Sequence, residues 1–386
     1  MSGDQLRVAL MPSAYTPSIG GVEEATRKLA SYLHSSGVAV EVWSTKRPGD
    51  GLPDEEEVDG IPLHRFVMPL PAANLSSLMS FLRAVTPAYS ALRSHVARFA
   101  PDLLHVQCFS TNGAYATALS IRSGVPLIVT LQGETLMDDH DIYTHSFLLR
   151  WALRAGLRRA TAVTGCSAFV LEDAAQRFAL HEDKGQVIFN GVQPAETEPR
   201  TLSVPFTHFI LGMGRMVHKK GFDLLLAAYA VIARQHPDVG LVLAGDGRER
   251  DRLRGMAKEL GLADRVYLPG ALDRAEVEWA LGNADVFVMP SRVEPFGIVV
   301  LEAWRGECPV VASNLGGASE FVREGIDGRL VDPHNTTALA AAIQDLLENE
   351  PLRKQLSLAG IDRVRSFEWP RIGAQYRRVY DQAVSS

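Results

Sequence analysis

The sequence predicts an α/β protein built from two doubly wound domains, each with a parallel sheet between layers of helices. Short apolar runs alternate with helical stretches along the chain, and this alternation begins again after a proline-containing segment near the middle. The length of 386 residues is sufficient for two domains of ordinary size. The glycine pair Gly20-Gly21, between the first predicted strand and the first predicted helix, is a third indication of a doubly wound sheet.

The composition is ordinary for an α/β protein and argues against several classes of protein. Hydrophobic residues make up 46% of the chain and charged residues 22%. The net charge of −6 argues against a nucleic-acid-binding protein, because no overall basic field is present to neutralise phosphates. Cys108, Cys166 and Cys308 lie far apart and form no C-x-x-C motif, so neither a disulfide framework nor a zinc site is indicated. Three reduced thiols in a cytoplasmic protein are expected.

The apolar segments are too short for a signal peptide or a membrane span. The first apolar run, residues 8–11, is four residues long and ends at Pro12. The longest nearly apolar segment, residues 224–233, is far shorter than the roughly 18 residues that a span requires. We therefore expect a cytoplasmic protein, and any membrane contact would be peripheral, on the inner membrane surface.

Elements of the first half follow from apolar runs and helical periodicity. We predict strands at residues 6–11, 38–44, 61–67, 103–106, 126–130, 162–166 and 187–189. We predict helices up to about residue 35, at 76–99, 112–123 and 145–159, and up to 178. The acidic segment 50–57 is expected to be a solvated loop.

Two polar or amphipathic segments of the first half each allow two interpretations. Residues 138–141 contain a D-x-D pattern, for which we expect a solvated acidic loop, with contact to a substrate as the alternative. Residues 145–159 place Phe147, Leu148 and Trp151 on one helical face, with arginines alongside them. This pattern is typical of a helix that contacts a membrane surface and also of a helix that lies on a sheet with its arginines in solvent.

A proline-containing segment separates the two predicted domains. Residues 193–206 carry three prolines and little periodicity, which predicts a linker between a domain at 1–192 and a domain at 207–368. In the second domain we predict strands at residues 209–212, 240–244, 266–268, 285–289 and 309–313. Helices are predicted up to about 235, up to 260, and at 274–282, 297–305, 335–347 and 352–366.

The stretch 285–302 has the features of an anion-binding site. A buried strand ends at Pro290, a polar turn follows, and a helix begins near Gly297. The first turn of a helix offers free N–H groups and the positive end of the helix dipole, and Gly297 has no side chain to obstruct them. Glu294 would lie at the entrance and Glu302 about 12 Å further along a regular helix. The two carboxylates would then meet opposite ends of one elongated ligand.

The loop after the first strand of the second domain carries two cations. Arg215 and Lys220 flank the strand-to-helix turn of G-R-M-V-H-K-K-G. Fixed cations at such a turn suit a ligand that develops negative charge. We expect substitution of either residue to leave folding nearly unchanged, because both lie in a loop.

In combination these motifs resemble those of a known enzyme family. The pattern E-x7-E at Glu294 and Glu302, followed by G-G-x-x-E at residues 316–320 and preceded by G-R-x(4)-K-G, is similar to that of retaining glycosyltransferases of the GT4 type. The resemblance covers nearly the whole chain. It implies the GT-B fold, in which two Rossmann-like domains face a central cleft. Residues 369–386 would cross back onto the first, acceptor-side domain, while the second would bind the nucleotide sugar.

The resemblance also implies roles for particular residues. Arg215, Lys220, Glu294 and Gln132 would act in catalysis. Residues for donor binding would be Gly20, Gly21, Gly270, Phe296, Gly297, Ile298, Val299 and Glu302. Relatives commonly have T-x-H-G where this chain has T-L-Q-G, so Gln132 takes the place of a histidine. Glutamine still hydrogen-bonds but does not titrate near neutral pH. We expect that no acid or base is needed at this position. The alternative is an enzyme that is slow or altered in its substrate.

The predicted activity is transfer of a hexosyl unit from a nucleotide-diphosphate sugar to a hydroxyl acceptor. By resemblance, a UDP-sugar is favoured as the donor, with a GDP-sugar as the alternative. The anomeric configuration is retained, and the acceptor is a glycan, a lipid-linked sugar or a small metabolite. No cofactor and no metal would be obligatory, because cationic side chains and the helix N-terminus supply positive charge. The alternatives are an epimerase or phosphorylase of the same fold, or a non-catalytic sugar-nucleotide sensor.

Overall fold

A computed structural model describes residues 5–18, 20–71, 75–137, 142–194 and 198–385. The D-x-D segment 138–141 lies outside these residues, as do three residues of the predicted linker. The chain forms two compact units, Met1–Asn190 together with Trp369–Ser386, and Gly191–Glu368. We call them the first unit and the second unit.

The first unit contains a doubly wound sheet. Its strands are β1 (Arg7–Pro12), β2 (Ala39–Thr45), β3 (Glu55–Val58), β4 (Ile61–Phe66), β5 (Leu103–Gln107), β6 (Leu127–Leu131), β7 (Ala162–Gly165) and β8 (Gly185–Val187). Its helices up to this point are α1 (Gly21–Ser35), α2 (Leu75–Phe99), α3 (Thr111–Ser123), α4 (Ile142–His145), α5 (Phe147–Arg159) and α6 (Ala168–Phe178). In the described part, the strand order is β3-β4-β2-β1-β5-β6-β7-β8, and only the β3–β4 pair is antiparallel.

The expectation that residues 50–57 form only a solvated loop is wrong in its last part. Glu55–Val58 forms β3, which pairs antiparallel with β4 at the sheet edge. The glutamates are tolerated there because cationic and imidazole groups of neighbouring elements face them. Glu56 contacts the buried guanidinium of Arg65, and Glu55 lies 3.3 Å from His64 Nδ1.

The second unit repeats the α/β alternation. Its strands are β9 (His208–Met213), β10 (Val239–Ala244), β11 (Val266–Gly270), β12 (Val286–Met289), β13 (Val310–Ser313) and β14 (Arg329–Val331). Its helices are α7 (Phe222–Gln235), α8 (Arg250–Glu259), α9 (Arg274–Asn283), α10 (Ile298–Arg305), α11 (Thr336–Glu348) and α12 (Glu350–Val364). Among the described residues, the strands pair in parallel in the order β11-β10-β9-β12-β13-β14.

Both sheets reverse their direction of winding beside their first strand. In the second unit β10 lies on one side of β9 and β12 on the other, and in the first unit β2 and β5 flank β1 in the same way. A crevice opens outside the carboxyl ends of the strands at such a switch point, and ligands of doubly wound proteins bind there. In the second unit, a ligand is therefore expected at the loops after β9 and β12.

The last helix, α13 (Trp369–Ser385), belongs to the core of the first unit. Trp369, Ile372, Tyr376 and Tyr380 are buried in the same apolar cluster as residues of α1, β1 and β2. The Tyr380 hydroxyl lies 2.7 Å from Nδ1 of the buried His105 on β5. Within the described ranges, no helix has the length and apolar composition needed to cross a membrane.

Candidate active site

The strand-to-helix turn between β12 and α10 has a backbone conformation that favours glycine. Gly297 precedes α10 with φ +97°, in the left-handed region that other residues rarely adopt. A Cβ atom there would also lie 2.9 Å from the sulfur of Met289, whose side chain would have to shift, so the positive φ is the stronger reason for glycine. The first-turn N–H groups of Ile298 and Val299 follow directly, with the positive end of the helix dipole.

Lys220 and Glu294 meet where the sheet of the second unit changes direction. Lys220 Nζ lies 2.6 Å from Glu294 Oε2, and the hydroxyl of the buried Ser291 donates to the same oxygen at 2.9 Å. The side chains of Lys220 and Glu294 are only 18% and 7% exposed, respectively. Residues 74 positions apart in the chain thus form one charged group at the carboxyl ends of adjacent strands. Because this ion pair follows the carboxyl ends of two strands beside the point where the winding reverses, it is a candidate for contact with a polar substrate.

The backbone fixes the position of the Glu294 carboxylate. Glu294 forms a parallel bridge with Gly316, and its carbonyl accepts the N–H of Gly317 at 2.8 Å. Gly316 has φ +125°, and a Cβ there would lie 2.2 Å from the Glu294 carbonyl oxygen. The G-G-x-x-E segment therefore supports Glu294 through main-chain contacts.

Arg215 lies in the same loop as Lys220, after β9. Its side chain is exposed. The neighbouring loop backbone is ordered, since Met216 N–H donates to Asp246 at 2.7 Å and Lys220 N–H donates to Val217 at 2.9 Å. The structure therefore brings Lys220 into direct contact with Glu294 and leaves the Arg215 side chain exposed on the same loop.

Glu302 is not in contact with Glu294. Its carboxylate lies on the second turn of α10, and Oε1 accepts from Arg274 Nη1 on α9 at 2.8 Å. Burial raises the pKa of Glu302, and the nearby Arg274 and Arg305 only partly offset this. Any ligand hydroxyl bound by Glu302 would share the carboxylate with Arg274.

The other predicted donor-binding residues of the second unit lie at the same sheet edge. Gly270 ends β11, and its carbonyl accepts the N–H of Gly245, which follows β10, at 2.7 Å. The ring of Phe296 is buried, with its centroid 4.7 Å from that of Phe321. Phe296 therefore offers its backbone, and not its ring, to a ligand.

Gln132 follows β6 in the first unit and is held by other amides. Its Nε2 donates to Asn190 Oδ1 at 3.1 Å and to Gln107 Oε1 at 3.3 Å, and its Oε1 accepts from Asn190 Nδ2 at 2.9 Å. These contacts fix the orientation of the Gln132 amide. They also occupy much of its hydrogen-bonding capacity.

Glu134 stabilises the loop that carries Gln132. Its carboxylate accepts the N–H of Phe109 at 2.6 Å and the N–H of Gln132 at 2.8 Å. Burial raises the pKa of Glu134 to about 7, although these backbone N–H groups favour the charged form. Glu134 is thus a half-buried carboxyl group whose pKa lies well above its usual range.

The glycine pair of the first unit lies at the start of α1. Gly20 precedes the helix with extended backbone, φ −177°, and Gly21 is its first residue. A Cβ on Gly20 would lie 2.6 Å from a carboxylate oxygen of Glu23. A phosphate close to this helix end would therefore meet the negative charge of Glu23 as well as free N–H groups.

Sequence reasoning did not identify several of the contacting residues. Ser291, in the polar turn after the predicted strand, and Arg274, at the start of a predicted helix, were not assigned to the site, although they hold Glu294 and Glu302. Asn190 and Glu134 were not assigned to the site. The only available signal was their polar character directly after buried strands, and it does not identify partners 58 or 25 residues away.

Known proteins with similar sequences and structures are glycosyltransferases. The "Glycosyl transferases group 1" family model matches residues 199–363, and the "Glycosyl transferase 4-like domain" model matches residues 20–191. A glycogen synthase of Mycobacterium tuberculosis is 30% identical over 289 residues, 72% of this chain and 68% of that protein.

Solved structures give the same result for the fold. A sucrose-phosphate synthase from Thermosynechococcus elongatus superposes with a TM-score of 0.82 at 26% identity, covering 99% of this chain and all of that one. Anabaena HepE in complex with UDP and glucose has a TM-score of 0.78 at 21% identity, covering 98% and 100%. The fold is GT-B, and the chain belongs to the group 1 glycosyltransferases, the GT4-type family.

Proposed function

We propose that this glycosyltransferase moves a hexosyl unit from a nucleotide-diphosphate sugar to a hydroxyl acceptor with retention of anomeric configuration. The observation that carries the proposal is the Lys220–Glu294 ion pair beside the N-terminus of α10. A diphosphate needs fixed positive charge and N–H donors, and a hexose needs a carboxylate that accepts from its hydroxyls. Both kinds of group meet at this edge of the sheet.

The proposed reaction uses the charge of the leaving group. The bond between C1 of the hexose and the diphosphate breaks, and the acceptor oxygen bonds to C1 from the same face. The acceptor proton passes to the departing diphosphate, so no side chain need act as an acid. Arg215, Lys220 and the N–H groups of Ile298 and Val299 stabilise the negative charge that develops. We expect no obligatory cofactor or metal, because this positive charge is built into the protein.

The donor base is assigned to uridine. The Anabaena protein with the same fold binds UDP and glucose, which supports a UDP-sugar over a GDP-sugar. Glu302 would accept from the ribose hydroxyls and Glu294 from the hexose. The division follows from their separation of eight residues, which lets them meet opposite ends of one donor.

The experiment is a donor panel with the purified protein. UDP-glucose, UDP-galactose, UDP-N-acetylglucosamine and GDP-mannose are each incubated with a mixture of hydroxyl acceptors, and released nucleoside diphosphate and product mass are measured. We expect UDP release that depends on the acceptor. The anomer of the product is then read by NMR. Release of GDP alone would overturn the uridine assignment, and an inverted anomer would overturn retention.

The outer face of α5 supports peripheral contact with an anionic membrane. Phe147, Leu148 and Trp151 are 66%, 44% and 61% exposed, and they lie within about 100° of one another around the helix. The helix sequence FLLRWALRAGLRR has four arginines and no acidic residue, although the whole chain has a net charge of −6. Exposed aromatic groups flanked by cations suit a surface of anionic headgroups.

Vesicle sedimentation tests the membrane proposal. We expect the protein to sediment with phosphatidylglycerol-containing vesicles and not with phosphatidylcholine vesicles. Replacement of Phe147 and Trp151 by Ser should abolish sedimentation, whereas Leu358→Ser, a change at another exposed apolar residue, should leave it unchanged. Equal binding of the Phe147/Trp151 variant and the unmodified protein would contradict the assignment to α5.

A further inference from the structure

We propose that Glu41, His64 and His95 form a binding site for a divalent transition-metal ion of the Zn²⁺ class in the first unit. The three side chains come from β2, β4 and α2, and one ligand atom of each lies within 4.8 Å of the others. Glu41 Oε2 is 3.0 Å from His95 Nε2 and 3.6 Å from His64 Nε2. Two imidazoles and one carboxylate at such spacing are a ligand set that zinc commonly takes.

Burial and an unpaired nitrogen support a ligand-binding role. His64 and His95 are only 8% and 6% exposed. His64 Nδ1 is buried without a hydrogen-bond partner, 3.3 Å from Glu55 Oε1. A buried polar nitrogen without a partner is costly. An ion on Nε2 would fix the tautomer with a proton on Nδ1, 3.3 Å from the Glu55 carboxylate, and metal-bound histidines typically donate this N–H to such a carboxylate.

The pKa shifts of His64 and Glu41 favour a neutral imidazole and a charged carboxylate. Burial lowers the pKa of His64, and the adjacent His95 lowers it further, against the opposing effect of Glu41 and Glu55. Burial raises the pKa of Glu41, but hydrogen bonds from His95 and Trp43 outweigh it and the net shift is downward. A neutral imidazole and a charged carboxylate are the forms that bind a metal ion.

Two existing contacts bear on metal binding, and one of them competes with an ion. Trp43 Nε1 donates to Glu41 Oε2 at 2.8 Å, and this hydrogen bond can persist beside a metal. Arg98 Nη2 lies 2.7 Å from His95 Nδ1, so in this arrangement Nδ1 accepts and Nε2 carries the proton that faces Glu41. Metal binding requires the other tautomer and displaces the guanidinium. Arg98 is 61% exposed and already reaches Glu55 at 3.4 Å, so it can withdraw.

The site is separate from the proposed chemistry. In the sheet of the first unit β2 is three strands away from β6, which precedes Gln132. A bound ion would join β2, β4 and α2 at this side of the sheet. We therefore expect it to stabilise the first unit without taking part in sugar transfer.

The test is Zn²⁺ binding by the full chain, measured by equilibrium dialysis with elemental analysis and by the shift of the thermal transition. We expect one Zn²⁺ per chain, a raised Tm with Zn²⁺ and no shift with Mg²⁺. His64→Gln and His95→Gln should abolish both effects. His334→Gln, at an exposed histidine, is the matched control and should bind as the unmodified protein does.

The Arg98→Ala variant tests the proposal even if the variants at the buried His64 and His95 do not fold. The exposed guanidinium competes with the ion, so its removal should tighten Zn²⁺ binding by several-fold or more. Unchanged or weaker binding in Arg98→Ala, or Zn²⁺ binding that persists in His64→Gln, would overturn the proposal. Absence of any Zn²⁺ binding would show that the cluster is a hydrogen-bond network only.

Discussion

At the scale of single residues, Lys220 and Arg215 are expected to differ in their effect on stability. The sequence predicted that neither matters for folding. The structure contradicts this for Lys220, because its removal leaves the nearly buried Glu294 unpaired. Both alanine variants should lower kcat by roughly 10²-fold or more. Lys220→Ala should also lower the free energy of unfolding by about 3 kcal/mol, and Arg215→Ala by less than about 0.5 kcal/mol.

Urea denaturation and steady-state kinetics check this pair. Lys219→Ala is the matched control, since it removes a positive charge from the same loop. The double variant Lys220→Met with Glu294→Gln should regain stability without regaining activity, because the buried charge is gone. If Lys220→Ala were as stable as the unmodified protein, the ion pair would not be desolvated in solution.

Glu302 and Glu294 provide a second prediction at this scale. Glu302→Gln should raise the donor KM with little change in kcat, whereas Glu294→Gln should mainly lower kcat. Because Arg274 holds the Glu302 carboxylate, Arg274→Ala should give the same KM defect. Identical kinetic defects in the two Glu variants would contradict the division between ribose and hexose.

The raised pKa of Glu134 predicts a dependence of stability on pH. Burial raises this pKa to about 7, so the folded state retains a proton that the unfolded state loses near pH 4.5. Stability from this group is therefore fully present below pH 4.5 and is lost as pH rises through 7. The loss is about 3 kcal/mol by linkage. Chemical denaturation at pH 5 and pH 8 should show a smaller difference for Glu134→Gln than for the unmodified protein. An equal difference would mean that Glu134 does not titrate in this range.

At the scale of elements, the turn that supports Glu294 depends on Gly316. A Cβ there would meet the Glu294 carbonyl oxygen at 2.2 Å, and φ is +125°. Gly316→Ala should shift this backbone and lower kcat by tenfold or more, with a stability loss of about 2 kcal/mol from strain. Gly325→Ala is the control, because Gly325 has φ +69° and no atom within 4 Å of an added Cβ. Gly325→Ala should lower the free energy of unfolding and leave kcat unchanged. Full activity in Gly316→Ala would show that Glu294 does not need this support.

The elements show which parts of the fold can be predicted from sequence. Buried strands such as β12 were predicted because parallel strands covered on both faces are continuous apolar runs. β3 and β14 were missed because their charged residues, Glu55 and Arg329 among them, find partners on neighbouring elements that local pattern does not reveal. In the same way, the motif identified Lys220 and Glu294, but only the fold shows that they touch.

At the scale of the whole molecule, the chain returns from the second unit to complete the core of the first. α13 contributes Trp369, Tyr376 and Tyr380 to that core after 178 residues of the second unit, Gly191–Glu368. The order in which the chain is made therefore leaves the first unit incomplete until its last helix is present. Periodicity in the sequence shows only that the terminal helix is amphipathic. It does not show which unit the apolar face of this helix packs against.

Tyr380 is the residue through which this dependence can be measured. Its hydroxyl lies 2.7 Å from His105 Nδ1, while His105 Nε2 lies 2.7 Å from Thr130 Oγ1. Burial lowers the pKa of His105 to about 3, so the imidazole stays neutral and needs both partners.

Tyr380→Phe keeps the ring and removes one partner, which should lower the free energy of unfolding by about 1–3 kcal/mol. His105→Phe in the Tyr380→Phe background should recover part of that loss, because no buried nitrogen remains unpaired. Chemical denaturation of the two variants measures these changes in the free energy of unfolding, and Tyr89→Phe is the control at a half-buried tyrosine. Equal stability of Tyr380→Phe and the unmodified protein would mean that α13 is held by its apolar contacts alone.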